Sequence, residues 1–243
     1  MQGQSENRNQ SQFPSVLAVD KIYKKYGRRE VLRGASFYAD QGECICIVGS
    51  NGCGKSTLLG ILAGCLKFQT GNICYYGRDP LSDKKTFAEL IGYVPQDNPL
   101  MEQLSVKDNL SFWYCDTGKN LKQELASGLP ARFGLTEYAD TAVSKLSGGM
   151  KKRLSIACAL TKDPPILIMD EPGASLDLIC KQQIKEYLIS YLAQGGTVLL
   201  TSHEESELAL ASRMYLLDQG TLHELEHPVN GTELMHVIER GIQ

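Results

Sequence analysis

Residues 49–57 constrain this chain more than any other stretch, because they read GSNGCGKST between an apolar run at 44–48 and a helical pattern at 58–63. Three glycines allow a tight turn whose backbone N–H groups point inward at the start of the helix, where a polyphosphate binds. Lys55 adds a charge for the β- and γ-phosphates, and the Ser56 hydroxyl suits Mg²⁺. The stretch therefore predicts a phosphate-binding loop in an α/β fold. Its candidate contacts are Gly49, Ser50, Asn51, Gly52, Cys53, Gly54, Lys55, Ser56 and Thr57.

The length and composition of the chain exclude several classes of protein. Its 243 residues suffice for one large domain, or for one domain with an inserted subdomain. A formal net charge of −3 gives no basic field, so no nucleic-acid partner is expected. No apolar segment approaches the ~18 residues of a membrane span, and no signal-peptide core is evident at the start. Any contact with a membrane is therefore expected to depend on a partner protein.

The eight cysteines contain no CxxC pair and fall mostly inside apolar or helical patterns. They are interpreted as reduced thiols of a cytosolic protein, not as a disulfide framework or a zinc site. Cys53, inside the phosphate-binding loop, is either a thiol open to thiol reagents or an inert small residue.

The start of the chain divides by composition and periodicity. Residues 1–15 are rich in Gln, Asn and Ser and are interpreted as a disordered tail. Alternating patterns at 16–23 and 31–38, with a turn at 26–29, predict two antiparallel strands, and a further short strand is expected at 73–77. Tyr26, at the end of the first strand, offers a ring to a purine or simply packs.

Apolar residues at helical spacing predict a helical subdomain inserted at about 98–160, within a domain of residues 16–225. A helical extension is expected at 226–243. Five apolar side chains near the start of the insert are expected mainly to form its small core, with a docking surface as the alternative. They are Leu100, Met101, Leu104, Phe112 and Trp113.

Two predicted parallel strands deliver polar residues to one edge of a sheet. The apolar run 166–169 leads into Asp170 and Glu171 at the edge where α/β folds bind ligands. Asp170 suits the Mg²⁺ shell, and Glu171 can polarise an attacking water. His203 follows the strand at 197–201, where an imidazole can contact phosphate or water. Acidic residues after strands often only cap helices and lone histidines are often structural, but the phosphate-binding loop upstream favours a joint site.

The sequence LSGG at 146–149 precedes a helix predicted at 151–162 and forms a second candidate phosphate site. Ser147 is placed as the N-cap, and the two glycines expose backbone N–H groups. Basic side chains in the predicted first turn oppose the helix dipole unless an anion binds there. They are Lys151, Lys152 and Arg153. Taken alone the stretch is a weak signal, because Gly-Gly before a helix is usually only a loop.

Together these motifs resemble the nucleotide-binding subunit of ATP-binding cassette (ABC) transporters over about residues 16–225. Each motif occurs once, in the order of the family, and the signature separates this family from other phosphate-loop ATPases. The motifs are the adenine loop at Tyr26, Walker A at 49–57, the Q-loop at Gln96, the signature with Ser147, Gly148 and Gly149, Walker B ending at Asp170 with Glu171, the D-loop at 175–177 with Asp177, and the switch histidine His203.

The resemblance implies a P-loop NTPase of the ABC ATPase type, with an antiparallel β subdomain and an inserted α-helical subdomain, that uses ATP and Mg²⁺. It also implies a head-to-tail dimer, and a chain with one phosphate-binding loop and one signature can complete a nucleotide site only by facing a second cassette. Ser147 and Gly149 of one cassette would clamp the γ-phosphate held by Lys55 of the other. Asp177 would connect the two sites.

The remaining roles implied by the resemblance concern hydrolysis. Glu171 would orient the lytic water, and His203 would hold the γ-phosphate. Gln96 would contact Mg²⁺ and water while reporting to a membrane permease, and Ser56 and Asp170 would complete the metal shell.

Three positions depart from the family pattern: Met150 occupies a position that is frequently Gln, Gly173 one that is commonly Thr or Ser, and Leu178 one that is frequently Pro. None belongs to a phosphate-binding or acidic group, so they concern subunit contacts more than activity. The run LSGGMKKRLS resembles the exporter branch of the family, which favours export over import.

The expected function is that of an ATP-hydrolysing subunit that powers transport, with export favoured, through a separate permease at the cytoplasmic face of a membrane. Its partners would be the permease and a second cassette, identical or different. One alternative is a soluble cassette acting on nucleic acid or ribosomes, which usually needs long insertions or two cassettes in one chain. Another is a nucleotide-binding regulator without turnover, which the presence of Lys55, Asp170, Glu171 and His203 disfavours.

Overall fold

The computed structural model of the protein describes residues 15–83, 85–174 and 176–240. Residues 1–14 of the predicted tail, Ser175 of the D-loop and the last three residues of the predicted C-terminal extension lie outside the described residues.

Two sheets contain the strands of the described chain. In chain order these are β1 (Ser15–Tyr26), β2 (Arg29–Asp40), β3 (Cys44–Val48), β4 (Thr70–Tyr75), β5 (Ile91–Val94), β6 (Ile166–Asp170), β7 (Thr197–Thr201), β8 (Arg213–Asp218) and β9 (Thr221–Glu224). Strand β1 pairs with β2 and β4 in an antiparallel sheet, which confirms the antiparallel pair predicted at the start of the chain. The larger sheet has the order β5-β6-β7-β3-β8-β9, and its strands are parallel except for β9.

The helices of the described chain surround the larger sheet. They are α1 (Lys55–Leu62), α2 (Lys85–Leu90), α3 (Val106–Tyr114), α4 (Leu121–Ser127), α5 (Leu129–Arg132), α6 (Gly148–Ala159), α7 (Leu178–Ala193), α8 (Glu205–Leu208) and α9 (Gly231–Arg240). Helix α6 begins and ends three residues before the helix predicted at 151–162. The reason is its cap, because the Ser147 hydroxyl accepts a hydrogen bond from the Met150 N–H and both glycines fall inside the helix.

Strand β3 shows how the layers are arranged. All five of its residues are buried. Cys44, Cys46 and Val48 pack with residues of α3, α6 and α7 on one face, whereas Ile45 and Ile47 pack with α1 and the antiparallel sheet on the other. Side chains alternate along a strand, so a strand covered on both faces is apolar throughout. The result is a mixed α/β architecture with its helical insert between β5 and β6.

The core of the insert differs from the prediction. Val106, Leu110 and Tyr114 of α3 are buried, because they recur every fourth residue on the inner face of the helix. Of the five apolar residues expected in this core, only Leu100 packs against it. The prediction is wrong for the other four, which are exposed: Met101 (39%), Leu104 (41%), Phe112 (63%) and Trp113 (36%).

Candidate functional site

The phosphate-binding loop joins β3 to α1 and encloses its own lysine. Gly49 and Gly54 adopt φ values of +151° and +119°, and a Cβ at Gly49 would lie 2.5 Å from the carbonyl oxygen of Leu217. Lys55 is buried, and its Nζ donates to the carbonyl oxygens of Gly49 at 2.8 Å and Ser50 at 3.3 Å. The ammonium therefore lies inside the loop, held only by backbone carbonyls.

The N-terminus of α1 is suited to an anion. Gly54 occupies the N-cap position, and no side chain of the described residues caps the helix. The N–H groups of the first helical turn consequently have no intrahelical partner, and the helix dipole adds a partial positive charge there. The side chain of Ser56, in the same turn, is exposed. A phosphate bound at this end would satisfy the free donors.

Strand β6 ends in the acidic pair. Asp170 is buried, and its Oδ1 accepts a hydrogen bond of 2.6 Å from Thr201 Oγ1 at the end of β7. Glu171 has the left-handed φ of +47°, which costs a non-glycine residue about 1–3 kcal/mol. Its N–H donates to both the carbonyl oxygen and Oγ1 of Thr201, each at 3.1 Å. Thr201 thus holds the turn that separates the two carboxylates.

His203 follows β7 and faces the acidic pair. Its Nε2 lies 3.9 Å from Glu171 Oε1, and 42% of its side chain is exposed. The preceding Ser202 donates from Oγ to Glu207 Oε2 at 2.5 Å and accepts from the Glu204 N–H at 2.9 Å. Glu207 is buried, and its Oε1 lacks a hydrogen-bond partner among the described residues. Burial raises the pKa of Glu207 to about 7.

The turn between β1 and β2 borders the phosphate-binding loop. Arg29 donates from Nη2 to the carbonyl oxygen of Gly52 at 2.9 Å. Tyr26, at the end of β1, is 49% exposed, and Lys24 Nζ lies 4.6 Å from the centroid of its ring. The end of β1 therefore places the exposed ring of Tyr26 near the phosphate-binding loop.

Gln96 reaches the same edge of the sheet from β5. Val94 pairs with Met169 of β6, so a continued register places Gln96 level with Glu171. Gln96 itself is exposed. The structure therefore brings Lys55, Asp170, Glu171, His203 and Gln96 to the carboxyl edge of one sheet.

The signature residues lie elsewhere. Ser147 and Gly148 are exposed at the start of α6, which packs against β5, whereas the phosphate-binding loop follows β3. Two strands, β6 and β7, separate β5 from β3 in the sheet. The strand beside the signature helix, β5, is therefore roughly 14 Å from β3, the strand that leads into the phosphate-binding loop. Gly149 is buried, and a Cβ there would lie 2.4 Å from Cys180 Sγ of α7. The structure does not join the signature to the phosphate-binding loop of the same chain.

The basic side chains after the signature face protein groups and not an open anion site. Lys151 Nζ pairs with Glu102 Oε1 at 2.6 Å. Lys152 Nζ donates to the carbonyl oxygens of Pro95 and Gln96, and Arg153 Nη1 donates to those of Phe133 and the Gln183 side chain. Because α6 begins at Gly148, Lys152 and Arg153 lie beyond its first turn, where the dipole has little effect.

Asp177 caps α7 by accepting a hydrogen bond of 2.8 Å from the Cys180 N–H, and this bond lowers the pKa of Asp177. The next two side chains, Leu178 and Ile179, are 83% and 73% exposed. Asp177 therefore stabilises the start of α7 within its own chain, in addition to the contact between cassettes that the family resemblance implies for it.

The donor set at the sheet edge fits a magnesium ion. The Ser56 hydroxyl, the Asp170 carboxylate and the Gln96 amide supply oxygen atoms, which Mg²⁺ prefers. Among the described residues, no three His, Cys, Asp or Glu side chains are close enough to hold a metal, so a soft or all-carboxylate site is not built here.

Cys53 and the remaining thiols are free. Cys53 is half-buried, and burial raises the pKa of its thiol above the usual range. That shift supports the inert alternative for Cys53, since the thiolate is the reactive form.

Sequence reasoning missed two side chains that the structure connects to this site. Lys152 belongs to a run of three basic residues, and Glu207 belongs to an acidic stretch at the start of a helix. Neither pattern shows whether the side chain points into the protein or into solvent. A cavity of about 430 Å³ lined by Tyr114, Tyr187 and Tyr191 includes none of the predicted site residues.

The comparisons with known proteins agree with the motifs. Residues 32–174 match the family described as ABC transporter. The chain is 39% identical over 213 residues to the Nod factor export ATP-binding protein I of Paraburkholderia xenovorans (strain LB400), covering 85% of this chain and 69% of that protein. The chain belongs to the ABC transporter family. It is also 35% identical over 211 residues to the linearmycin resistance ATP-binding protein LnrL of Bacillus subtilis (strain 168), covering 85% of this chain and 68% of that protein.

Solved ABC transporter structures share the fold. An ATP-binding subunit of an ABC transporter superposes with a TM-score of 0.81 at 24% identity over 92% of this chain and 99% of that one. The cbiO1 protein of Clostridium perfringens, part of the cbiONQ complex, gives 0.75 at 28% identity over 88% of each chain. The predicted fold class is confirmed. This ABC protein is the ATP-binding subunit of a transporter, binds nucleotide and belongs to a family of ATPases.

The soluble alternative that acts on nucleic acid or ribosomes finds no support among these relatives. In the described parts of the chain, no helix combines the length and the hydropathy required to span a bilayer.

Proposed function

We propose that this ABC subunit powers export through a separate membrane permease and hydrolyses ATP between two cassettes arranged head to tail. The similar proteins named for Nod factor export and linearmycin resistance support the exporter assignment. The observation that carries the paired arrangement is the separation of the signature from the phosphate-binding loop within one chain. The subunit would bind the permease at the cytoplasmic face of a membrane.

The separation leaves two incomplete half-sites on one molecule. The loop around Lys55 has cationic and N–H groups for phosphates but no second wall, while Ser147 and Gly148 expose hydroxyl and N–H groups with no phosphate-binding loop opposite. A second cassette turned by a two-fold rotation places each half-site against its complement. Such a contact is self-complementary and closes at two chains.

Side chains at the sheet edge divide the work of hydrolysis. Lys55 neutralises charge on the β- and γ-phosphates, and the Ser147 hydroxyl of the second cassette, with the free N–H groups at the start of its α6, covers the γ-phosphate. Glu171 lies at the turn after β6, and its carboxylate orients the attacking water. His203, with Nε2 3.9 Å from Glu171 Oε1, contacts the γ-phosphate.

Ser56, Asp170 and Gln96 would hold Mg²⁺, which supplies neutralising charge for the phosphates when bound. The Thr201 hydroxyl fixes one oxygen of Asp170 and leaves the other available. The ring of Tyr26, exposed on one face, stacks on the adenine.

An apolar patch supports contact with a second cassette. Leu178 and Ile179 are the most exposed large apolar side chains of the described residues, and they begin the helix that contacts signature Gly149 through Cys180. Exposed leucine and isoleucine next to a half-site are costly in water and favour burial against protein. The D-loop that precedes them, with Asp177, would run along the same interface.

A second exposed patch suits the permease. Phe112 and Trp113 stand on the outer face of α3 with ring centroids 6.2 Å apart. The loop before α3 is fixed to it, because the buried Asn109 side chain accepts from the Met101 N–H at 2.9 Å and donates to the Met101 carbonyl oxygen at 3.1 Å. A rigid aromatic patch that follows the Q-loop is a suitable receptor for a segment of the permease.

The paired arrangement is tested with Glu171→Gln, which should bind ATP and turn it over very slowly. Light scattering after gel filtration should show a dimer with Mg-ATP and a monomer with Mg-ADP. Adding Ser147→Arg to the same chain should abolish the dimer, since a large side chain fills the half-site, while fluorescent-ATP binding by the monomer persists. A monomer in both nucleotides, or a dimer that Ser147→Arg leaves intact, would count against the arrangement. Near-normal turnover by Glu171→Gln would remove Glu171 from its role.

Export is tested by tagging the chain in its native cell, solubilising the membranes in mild detergent and identifying the proteins that co-purify. A polytopic permease without a solute-binding protein supports export. A permease accompanied by a binding protein would make the system an importer, and recovery of ribosomes or nucleic acid alone would overturn the transporter partner.

A further inference from the structure

Lys152 is a buried cation that the motifs of the family resemblance leave unexplained. Its side chain is 4% exposed, on the inner face of α6 one turn after the signature. Nζ donates to the carbonyl oxygen of Pro95 at 3.0 Å and to that of Gln96 at 3.1 Å. Both acceptors belong to the segment that follows β5. One ammonium therefore joins the signature helix to the Q-loop backbone.

The surroundings of this ammonium are acidic without containing an ion pair. Burial lowers the pKa of Lys152, and the charges of Asp170, Asp97, Glu207 and Glu171 act in the opposite direction. No carboxylate oxygen of the described residues lies within 4.0 Å of Nζ. The two carbonyl oxygens fix the position of the ammonium.

The other hydrogen bonds between the two regions involve residues further along the chain from Pro95 and Gln96. Lys151 pairs with Glu102, whose side chain is 57% exposed, and exposed ion pairs contribute little. Backbone hydrogen bonds from Ser144 to Glu102 and from Val143 to Leu104 join the approach to the signature with the loop before α3. Among the described residues, the hydrogen bonds of Lys152 are those that join α6 to residues 95 and 96, which are level with the acidic pair.

We propose that Lys152 is a positioning residue that sets the Gln96 side chain relative to the nucleotide and makes the Q-loop and the signature helix move together. The proposal rests on the proposed function, since it assigns to one residue the coupling between hydrolysis and the permease. Displacement of the insert by a permease moves α6, and the two hydrogen bonds carry the Pro95–Gln96 backbone with it. A cation suits this task, because charge-assisted bonds to two carbonyls are stronger than those of a neutral donor.

Three variants test the proposal in the complex of this subunit with its permease in vesicles. Lys152→Met keeps the length and loses the donors, Lys152→Arg restores two donors, and Lys162→Met removes an exposed ion pair with Asp116 at the other end of the same region. We expect Lys152→Met to lower kcat for ATP roughly tenfold to a hundredfold with KM for Mg-ATP within about twofold. Lys152→Arg should recover most of kcat, and Lys162→Met should match the wild type.

Hydrogen exchange on the isolated subunit gives a readout independent of transport. Lys152→Met should speed exchange in the peptide covering residues 95–100 and leave the peptide of β7 unchanged. Equal kcat in Lys152→Met and wild type, or exchange that changes equally everywhere, would overturn the proposal. So would a loss of kcat that Lys152→Arg does not restore. If Lys152→Met does not fold, Lys152→Gln, whose amide donates to one carbonyl, is compared in the same two assays.

The two readouts separate this proposal from the proposed function. A wild-type subunit that never hydrolyses ATP with any permease would refute the proposed function, while the exchange experiment would still decide whether Lys152 fixes the Q-loop. Normal transport by the wild type together with unaltered exchange in Lys152→Met would refute only the role of Lys152.

Discussion

The carboxyl edge of the large sheet and the helical insert treat their polar groups in opposite ways. At the sheet edge, α1 has no side-chain cap among the described residues, and Lys55 is held only by carbonyl oxygens. In the insert, Ser147 caps α6, and Ser105 with Asp108 forms a capping box on α3. The first-turn N–H groups of α1 at the sheet edge are therefore free to bind a ligand, whereas N–H groups at the starts of α3 and α6 are capped by side chains of the insert.

This difference indicates which chain each region serves. Free N–H donors and the left-handed backbone of Glu171 lie together at the sheet edge, which supports the proposal that this chain binds nucleotide there. The insert instead exposes Phe112 and Trp113, and the signature shows only Ser147 and Gly148 on its surface. Under the proposed function, these exposed residues contact the permease and the second cassette. Substitutions in the two regions should therefore separate nucleotide binding from assembly.

The largest effect is expected at the sheet edge from Lys55→Ala. Loss of the ammonium should lower kcat/KM for ATP by about 10²–10³-fold, because a preorganised donor to the phosphates is removed. Fluorescent-ATP binding and phosphate release measure the change. Lys122→Ala, at an exposed lysine of α4 in the insert, should leave both unchanged. Equal losses in the two variants would contradict the contrast between the regions.

A pH effect is expected from Glu207, whose carboxyl fixes the segment carrying His203. Its folded pKa of about 7 lies above the ordinary 4.5, so the folded chain keeps a proton that the unfolded chain has lost between those values. The contribution of this group to the free energy of unfolding is therefore greatest below about pH 5 and falls as pH rises to about 7. The full change is on the order of 3 kcal/mol.

Urea unfolding of wild type and Glu207→Gln at pH 5 and pH 8 measures this effect. Because the amide of Glu207→Gln does not titrate, this variant should lose most of the fall in the free energy of unfolding between pH 5 and pH 8. The charged groups that interact with Glu207 are Glu204, Lys181 and Lys152, and the Glu207 charge adds to burial in raising the pKa of the Cys44 and Cys46 thiols. Glu205→Gln, at an exposed residue of the same helix, is the control and should decline with pH as the wild type does. An identical pH profile for Glu207→Gln and wild type would show that Glu207 is ionised throughout.

The insert should respond in assembly and not in nucleotide binding. Trp113→Ala is expected to weaken binding to the permease by about 2 kcal/mol, roughly thirtyfold, as truncation of a central aromatic does. Co-purification with the permease measures the loss, and ATP affinity should stay constant. Tyr138→Ala, an exposed aromatic of the insert outside α3, should assemble normally. Unchanged assembly of Trp113→Ala would place the permease elsewhere.

The sequence predicted the sheet edge better than the insert, for a physical reason. Buried strands such as β3 and β6 are apolar throughout, and the loop between β3 and α1 needs glycine at fixed places, so both leave a local pattern. The sheet order and the Thr201 contacts with Asp170 and Glu171 join residues 30 or more positions apart, and no local pattern reports them.

In the insert, local pattern misled. Phe112 is as apolar as Leu110, yet a rotation of about 200° about α3 puts it outside, and Trp113, about 60° from Leu110 around the helix axis, is still 36% exposed. Lys152 reads like its neighbours in a basic triplet, although it alone turns inward to the Q-loop. The inward or outward direction of a side chain depends on which element packs against the helix, and that was absent from the local sequence.

The smallest effects should distinguish the two glycines of the signature. A Cβ at Gly149 would lie 2.4 Å from Cys180 Sγ, so Gly149→Ala requires either a new rotamer of Cys180 or a shift of α6 away from α7. We expect a loss of about 1–2 kcal/mol in the free energy of unfolding, typical of overpacking. Gly148 has no atom within 4 Å of an added Cβ, and Gly148→Ala should be neutral or stabilise the helix by up to about 1 kcal/mol.

Combining Gly149→Ala with Cys180→Ala sharpens this last test, because it removes the sulfur atom that the new methyl group meets. The double variant should recover about 1 kcal/mol relative to the sum of the single variants, whereas Gly148→Ala with Cys180→Ala should be additive. Additivity in both pairs would mean that Gly149 is small for the sake of a ligand or a second cassette and not for packing against α7. In that case Gly149→Ala would lower hydrolysis while the free energy of unfolding stayed unchanged.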